Sequence, residues 1–305
     1  MSLHHHNHED SHHHHHDSGY KHAFLIAIIA NGLFVILQVG FAFFANSTSL
    51  FADAVHNLGD VLSLVLAWIA TRLTKRTPTD RSTYGMKKTS ILAALTNGLL
   101  LVFTCGMIAT EAIYKLFSPS LVHAAPVMIV AGIGIIVNGA TALLFIKGSN
   151  DLNIRAAFLH LMYDALISLG VVVSAALLYF TNWLWLDPLV GFLIAIIIIK
   201  GTWDLFLDSF RLIIDGVPKG ISMEKVRELL SSQLGVHGIH DLHVWALSTQ
   251  ENALSVHLWM PDLELNDNDR QVLSKRLNDE HNIHHITIQV EKLQRSCADA
   301  CVPYL

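Results

Sequence analysis

Six long apolar segments constrain this chain more than any other feature of its sequence. A helix of about 20 apolar residues crosses the roughly 30 Å hydrocarbon core of a bilayer, where a helix satisfies its own backbone hydrogen bonds. Because 52% of the residues are hydrophobic and only 15% are charged, a membrane domain over residues 22–207 is predicted instead of a soluble domain. The predicted spans are 23–45, 50–73, 89–117, 124–147, 154–180 and 186–207.

The lysine and arginine residues between the spans predict which side each loop faces. The 74–88 loop contains five of them and the loop after the fourth span contains two more, whereas the turns NSTS and TNWLWLDP contain none. Because loops rich in these residues stay in the cytoplasm, both termini are expected inside. In the second of these turns, Asp187 and Pro188 predict an N-cap and a first-turn proline for the sixth helix.

From Asp208 onward the sequence becomes charged and amphipathic, which predicts a soluble domain over residues 208–305. One helix is expected to begin behind Ser222, and a second to cover about residues 267–281. The stretches IHDLHVWALS, ALSVHLWMP and HHITIQVEK alternate apolar and polar residues as strands do. The predicted fold class is therefore an all-α membrane domain of six helices followed by a C-terminal α+β domain.

Two apolar spans carry the same polar pattern, a histidine followed four residues later by an aspartate. His56 and Asp60 lie in the second span, and His160 and Asp164 in the fifth. Residues four apart share one face of a helix, and charge in the bilayer centre costs at least about 2.5–3.5 kcal/mol per residue. Two imidazoles and two carboxylates form a ligand set that zinc favours. The alternative is that these groups only hydrogen-bond neighbouring helices.

Protons and a metal ion would compete for the same four side chains. Without metal, buried carboxylates and imidazoles tend to take up protons, so a transporter with alternating access has a basis for metal/proton exchange. Asp53 lies one turn before His56. It is a candidate to orient a ligand, and the alternative is an ordinary polar residue near the outer interface.

With these motifs in place, the sequence resembles the cation diffusion facilitator family, particularly its bacterial zinc-exporting branch and the mammalian zinc transporters. The resemblance covers about residues 20–295 and rests on SLFADAVHNLGD, HLMYD, HDLHVW and TIQVE occurring in this order. It implies a zinc exporter driven by inward proton flow, not an enzyme. It also implies a homodimer in a bacterial inner membrane, with a ferredoxin-like cytoplasmic domain similar to a small metallochaperone.

The resemblance also implies roles for individual residues. The transport site would consist of His56, Asp60, His160 and Asp164. A zinc site in the cytoplasmic domain, structural or regulatory, would consist of His240, His257, Glu291, Cys297 and Cys301. A contact between Lys88 and Asp215 would lock helices near the dimer interface. The alternatives are ordinary surface histidines in the tail and two unrelated interfacial charges.

The sequence departs from the family pattern at three places. The tail has Cys-x-x-x-Cys where mammalian members have Cys-x-x-Cys, and the stretch DRSTYGMKK lacks the histidine of a second site found in some bacterial relatives. The loop after the fourth span is short, and the histidines are instead N-terminal: ten of the 20 lie in the first 22 residues. Residues 1–21 are predicted to be a disordered cytoplasmic tail that binds zinc loosely, and an engineered tag is the alternative.

Two other functions fit parts of the sequence. An intramembrane metal hydrolase also buries histidine and aspartate ligands, but it needs an open metal position and a general base, and no HExxH motif is present. A metal sensor that moves no ions would need only the tail. The absence of a GxxxxGK[ST] loop argues against ATP-driven pumping, and the modest net charge of -5 gives no indication of nucleic-acid binding.

Overall fold

The structure, a computed structural model, describes residues 17–143 and 152–293, with side chains described for 28–143 and 158–293. Within these ranges, six helices are long and apolar enough to cross a membrane. They are α1 (Asp17–Ala45), α2 (Thr48–Thr74), α3 (Thr89–Phe117), α4 (Ala124–Leu143), α5 (Leu152–Thr181) and α6 (Leu186–Ile213). Helix α1 begins inside the predicted 1–21 tail, and α6 continues past the boundary predicted at residue 207.

Asparagine in a left-handed backbone conformation follows two of these helices. Asn46 comes directly after α1 with φ 53°, and Asn182 directly after α5 with φ 57°. A left-handed residue ends a helix by turning the chain away from the helix axis, and asparagine adopts this conformation more readily than most residues with a side chain. These residues therefore fix where two predicted spans end.

The chain forms two compact units, and the first comprises the residues up to Val61 together with Phe103–Ile199. Its buried core contains many small side chains, which let helices approach closely as they do in membrane proteins. A Cβ at Gly191 of α6 would lie 2.8 Å from the Thr48 carbonyl carbon of α2, so only glycine fits there. Large apolar side chains such as Ile36 and Phe43 are exposed, as a lipid-facing surface requires.

Asp187 caps a different helix from the one that the sequence predicted. It lies in the first turn of α6, and its carboxylate is buried against the start of α2. The carboxylate accepts hydrogen bonds from Ser47 Oγ at 2.5 Å, from the Thr48 backbone N–H at 2.6 Å and from Ser49 Oγ at 2.6 Å. The positive end of the α2 dipole and three donors compensate this buried charge. The prediction of a cap on α6 is therefore wrong.

The second unit comprises Leu62–Val102 and the residues from Lys200 onward, and it includes the α+β tail. The tail contains α7 (Met223–Ser231), β1 (Gly238–Ala246), β2 (Asn252–Trp259), α8 (Asp267–His281) and β3 (His285–Glu291). Ser222 caps α7 by accepting the Lys225 backbone N–H, as the sequence predicted. The predicted fold class, six membrane helices and an α+β tail, is confirmed.

The three strands form one sheet in the order β1-β2-β3, with β1 antiparallel and β3 parallel to β2. Leu254, Val256 and Leu258 of β2 are buried in the same core as Leu230 of α7 and Leu273 of α8. Because side chains alternate across a strand, the intervening positions of β2 lie on the opposite face of the sheet. That face carries the polar residues of the tail.

Candidate metal centres

The two histidine–aspartate pairs meet in the first unit. His56 Nε2 lies 3.0 Å from Asp164 Oδ1 and 3.9 Å from Asp60 Oδ2. His160 Nε2 lies 3.4 Å from Asp60 Oδ2 and 3.8 Å from Asp164 Oδ2. Each imidazole of one helix therefore faces a carboxylate of the other helix as well as its own. We name these four residues the transmembrane cluster.

These separations fit a tetrahedral zinc ion. With bonds of about 2.0–2.2 Å to nitrogen and oxygen, neighbouring ligand atoms of a tetrahedron lie about 3.3–3.6 Å apart. The four nitrogen–oxygen distances, 3.0–3.9 Å, bracket that value. Single ligand atoms of His56, Asp60 and Asp164 lie within 4.8 Å of one another. His160 lies outside that group of three, so its imidazole would have to move closer for all four side chains to bind one cation.

Burial differs among the members of the transmembrane cluster. The Asp164 side chain is 4% exposed, whereas the His160 side chain is 50% exposed. A carboxylate held almost fully away from water needs a compensating positive charge or a proton. The His160 imidazole is the most exposed of the four side chains. The arrangement can therefore hold a cation whose charge compensates the buried carboxylate.

Asp53 belongs to a separate hydrogen-bond network beside the transmembrane cluster. Its Oδ2 accepts Gln38 Nε2 at 2.7 Å and Ser168 Oγ at 2.9 Å, and Gln38 Oε1 accepts Asn57 Nδ2 at 3.0 Å. Ser168 lies one turn after Asp164 on α5, so the network ties α1, α2 and α5 together next to the ligands. Gln38 and Ser168 were not predicted from the sequence, although a glutamine in the apolar α1 was an available signal.

A second group of possible ligands lies on the polar face of the tail sheet. His240 and His257 are directly opposite each other on β1 and β2, and Glu291 is at the end of β3. Glu291 Oε2 lies 3.2 Å from His240 Nε2, and Glu291 Oε1 lies 3.1 Å from His257 Nδ1. Three ligand atoms within 4.8 Å of one another suit zinc. We name these three residues the tail cluster.

A β-bulge adds Asp241 to the surroundings of the tail cluster. The register of β1 shifts between His240 and His243, and Asp241 has φ 51°. This conformation places Asp241 Oδ1 2.8 Å from His243 Nε2 and Oδ2 3.6 Å from His257 Nε2. The bond to His243 is the main reason that the pKa of Asp241 is lowered. Asp241 was not predicted as a site residue, because strand alternation does not indicate a bulge.

Lys88 and Asp215, which were predicted to be in contact, lie next to each other. Lys88 Nζ donates to Asp215 Oδ1 at 2.7 Å, and both side chains are substantially exposed. The adjacent Lys87 pairs with Glu251. The N-terminal histidines up to residue 16, together with Cys297 and Cys301, lie outside the described residues. The four residues of the transmembrane cluster lie next to one another. The three residues of the tail cluster do so as well.

Two family models match almost the whole chain. Residues 24–214 match the cation efflux transmembrane domain, and residues 218–293 match the cation efflux protein cytoplasmic domain, ZT_dimer. Their boundary agrees with the end of α6 at Ile213. Together the two matches cover both the helices and the α+β tail.

Several curated bacterial proteins are similar to this chain over most of both lengths. The cadmium, cobalt and zinc/H(+)-K(+) antiporter of Bacillus subtilis is 33% identical over 90% of this chain and 90% of that protein. The metal cation efflux system protein CzcD of Cupriavidus metallidurans is 32% identical over 92% and 90%. The zinc transporter ZitB of Escherichia coli is 30% identical over 85% and 83%.

Proposed function

This chain belongs to the cation diffusion facilitator (cation efflux) family of metal transporters, and we propose that it exports Zn²⁺ from the cytoplasm in exchange for protons. The observation that supports the proposal is the transmembrane cluster, in which each of two imidazoles lies 3.0–3.9 Å from both carboxylates. Two ionised aspartates neutralise a divalent cation. The ion therefore crosses the low-dielectric region as part of an uncharged group.

Proton exchange follows from the chemistry of the same four side chains. Zinc binds neutral imidazole and ionised carboxylate, so binding the metal releases protons and proton binding releases the metal. A cluster that opens to the cytoplasm when it takes zinc, and to the other side when it takes protons, couples the two flows. The inward proton gradient then drives the metal outward.

The two histidines favour zinc over magnesium, calcium and manganese. Imidazole suits zinc, copper, iron and nickel, whereas carboxylate and water suit magnesium, calcium and manganese. A mixed tetrahedral set with two imidazoles is therefore matched to zinc. The Bacillus subtilis and Escherichia coli relatives carry zinc in their names, which supports the same substrate.

The cytoplasmic domain has a separate role in this proposal. The chain forms a homodimer in a bacterial inner membrane with both termini in the cytoplasm, which agrees with the ZT_dimer match and the basic 74–88 loop. The tail cluster binds zinc from the cytoplasm, with Cys297 and Cys301 as further ligands. This zinc stabilises or regulates the dimer and is not itself transported.

Reconstitution into liposomes that contain a zinc-sensitive dye tests the proposal. We expect zinc entry that responds to an imposed pH gradient and disappears in Asp60→Ala and Asp164→Ala. Thr110→Val is the matched control, since among the described residues the Thr110 hydroxyl donates to the carbonyl of Gly106 in its own helix. Zinc binding with no flux would favour a sensor, and zinc-dependent cleavage of a membrane substrate would favour a hydrolase.

A further inference from the structure

A row of exposed side chains along the second half of α2 changes from apolar to basic. Leu64 and Trp68 come first, 48% and 62% exposed, and the exposed Arg72 and Arg76 follow. Side chains four residues apart lie on the same face of a helix. Arg76 lies just past the end of α2, where its backbone N–H still bonds the Leu73 carbonyl, so the chain continues to turn. We name Leu64, Trp68, Arg72 and Arg76 the α2 stripe.

The change in character falls where α2 leaves the hydrocarbon core. Trp68 lies 20 residues after Thr48, the first residue of α2, which corresponds to about 30 Å along a helix. This length matches the thickness of the hydrocarbon core, and tryptophan is enriched at the boundary between membrane and water. Arg72, one turn further, therefore lies at the depth of the lipid phosphates, and Leu64 at the depth of the acyl chains.

The Arg72 guanidinium is held in place by an aromatic ring. It lies over Trp68, 5.2 Å from the ring centroid, in a cation–π contact. This contact gives the guanidinium N–H groups no oxygen acceptor, so they remain available for a phosphate, which arginine binds through two parallel hydrogen bonds. Neither Arg72 nor Arg76 pairs with a carboxylate among the residues that the structure describes.

The basic residues at the far end of the same loop differ in this respect. Lys87 pairs with Glu251 and Lys88 pairs with Asp215, and these residues belong to the same compact unit as the α2 stripe. Carboxylates of the protein therefore compensate the two lysines. The charge of the two arginines is left for an anion from outside the chain.

We propose that the α2 stripe is a binding site for an anionic phospholipid. The lipid phosphate accepts hydrogen bonds from the Arg72 guanidinium, Arg76 attracts the charged headgroup, and an acyl chain lies along Leu64 and Trp68. An anionic lipid is favoured over a zwitterionic one, because the cation of a zwitterionic headgroup would lie near the two arginines. The site is separate from both metal clusters and does not depend on which ion the protein transports.

Native mass spectrometry of the full chain in detergent tests the site, with phosphatidylglycerol and phosphatidylcholine as the probes. We expect the wild type to bind phosphatidylglycerol at least about fivefold more tightly than phosphatidylcholine. Arg72→Gln should weaken phosphatidylglycerol binding about fivefold, since a basic residue near an anionic membrane surface contributes about that factor. Lys87→Gln is the matched control, because it removes the same charge from a residue that is already paired, and it should leave the affinity unchanged.

Trp68→Leu is a second test that alters no charge. It keeps an apolar side chain but removes the cation–π contact, and we expect phosphatidylglycerol binding to weaken about two- to fivefold. Equal affinity of the wild type for the two lipids, a comparison that needs no variant, would overturn the site. An equal loss in Lys87→Gln and Arg72→Gln would also overturn it, since only the overall charge would then matter. A lipid-free dimer that dissociates in Arg72→Gln would assign the stripe to a second copy of the chain instead.

Discussion

The transmembrane cluster and the tail cluster use the same donor types on different scaffolds. In the first, each helix supplies a histidine and an aspartate four residues apart, giving two imidazoles and two carboxylates. In the second, three strands supply two imidazoles and one carboxylate. Four donors with two negative charges neutralise Zn²⁺ completely, whereas the three described donors of the tail leave a net positive charge and an open position.

The surroundings of the two clusters decide which function similar ligands can serve. A neutral, complete set suits an ion that must leave water and cross a low-dielectric region. An incomplete set beside water suits an ion that stays bound and takes a fourth ligand from solvent or from another part of the protein. We therefore expect the two clusters to be separable by mutation.

The largest expected effect is the loss of transport when one transmembrane ligand is removed. Asp164→Ala leaves three donors and one negative charge, and we expect zinc flux to fall by more than about a hundredfold, because even residues that only support metal ligands contribute about 10–100-fold. Zinc binding by the tail should be retained. Flux in proteoliposomes and zinc stoichiometry by elemental analysis measure the two quantities.

The converse variant removes two ligands of the tail cluster and leaves the transmembrane cluster intact. His240→Ala combined with His257→Ala should remove the tail zinc and leave zinc flux that still depends on the pH gradient. If the tail variant abolished flux as completely as Asp164→Ala does, the two clusters would not be functionally separate.

An intermediate effect is expected at Asp53. Asp53→Asn keeps an acceptor for Gln38 and Ser168 but removes the charge beside the transmembrane cluster. We expect thermal stability to change little and zinc affinity of the transport site to fall about tenfold. Asp53→Leu is the structural comparison, since it leaves both donors unpaired and should lower the melting temperature. Wild-type zinc affinity in Asp53→Asn would exclude a role in positioning the ligands.

The smallest effect is expected at the Lys88–Asp215 pair. Both side chains are exposed, and exposed ion pairs contribute about 0–1 kcal/mol. Lys88→Asp or Asp215→Lys alone should reduce flux by no more than about fivefold, which corresponds to about 1 kcal/mol. The double swap should restore the flux. A lack of rescue would mean that the contact does not couple the tail to the membrane helices.

The sequence predicted the transmembrane cluster because helical spacing is local. Residues four apart share a face in any helix, so the spacing alone was enough to pair His56 with Asp60 and His160 with Asp164. The helix ends were close for the same reason, as the Ser222 cap illustrates. Local alternation also predicted the strands of the tail, whereas His257 itself was implied by the family resemblance.

Contacts that depend on distant parts of the chain could not be predicted in this way. The carboxylate of Asp187 bonds the start of α2, about 140 residues earlier, although its own neighbours indicated a cap on α6. The Asp53 network needs Gln38 and Ser168 from two other helices. Asp241 reaches His257 only because a bulge turns it. In each case the packing of distant parts of the chain decides which partner the carboxylate contacts.

X-ray absorption at the zinc edge tests the convergence of the four transmembrane ligands most directly. The sample would be the chain without residues 1–16 and with the tail ligands His240, His257, Glu291, Cys297 and Cys301 replaced by alanine, loaded with one zinc per chain. We predict four nitrogen or oxygen neighbours at about 2.0–2.2 Å, with scattering from two imidazole rings that drops to one in His160→Ala. A six-oxygen shell without imidazole, or no bound zinc, would contradict the account.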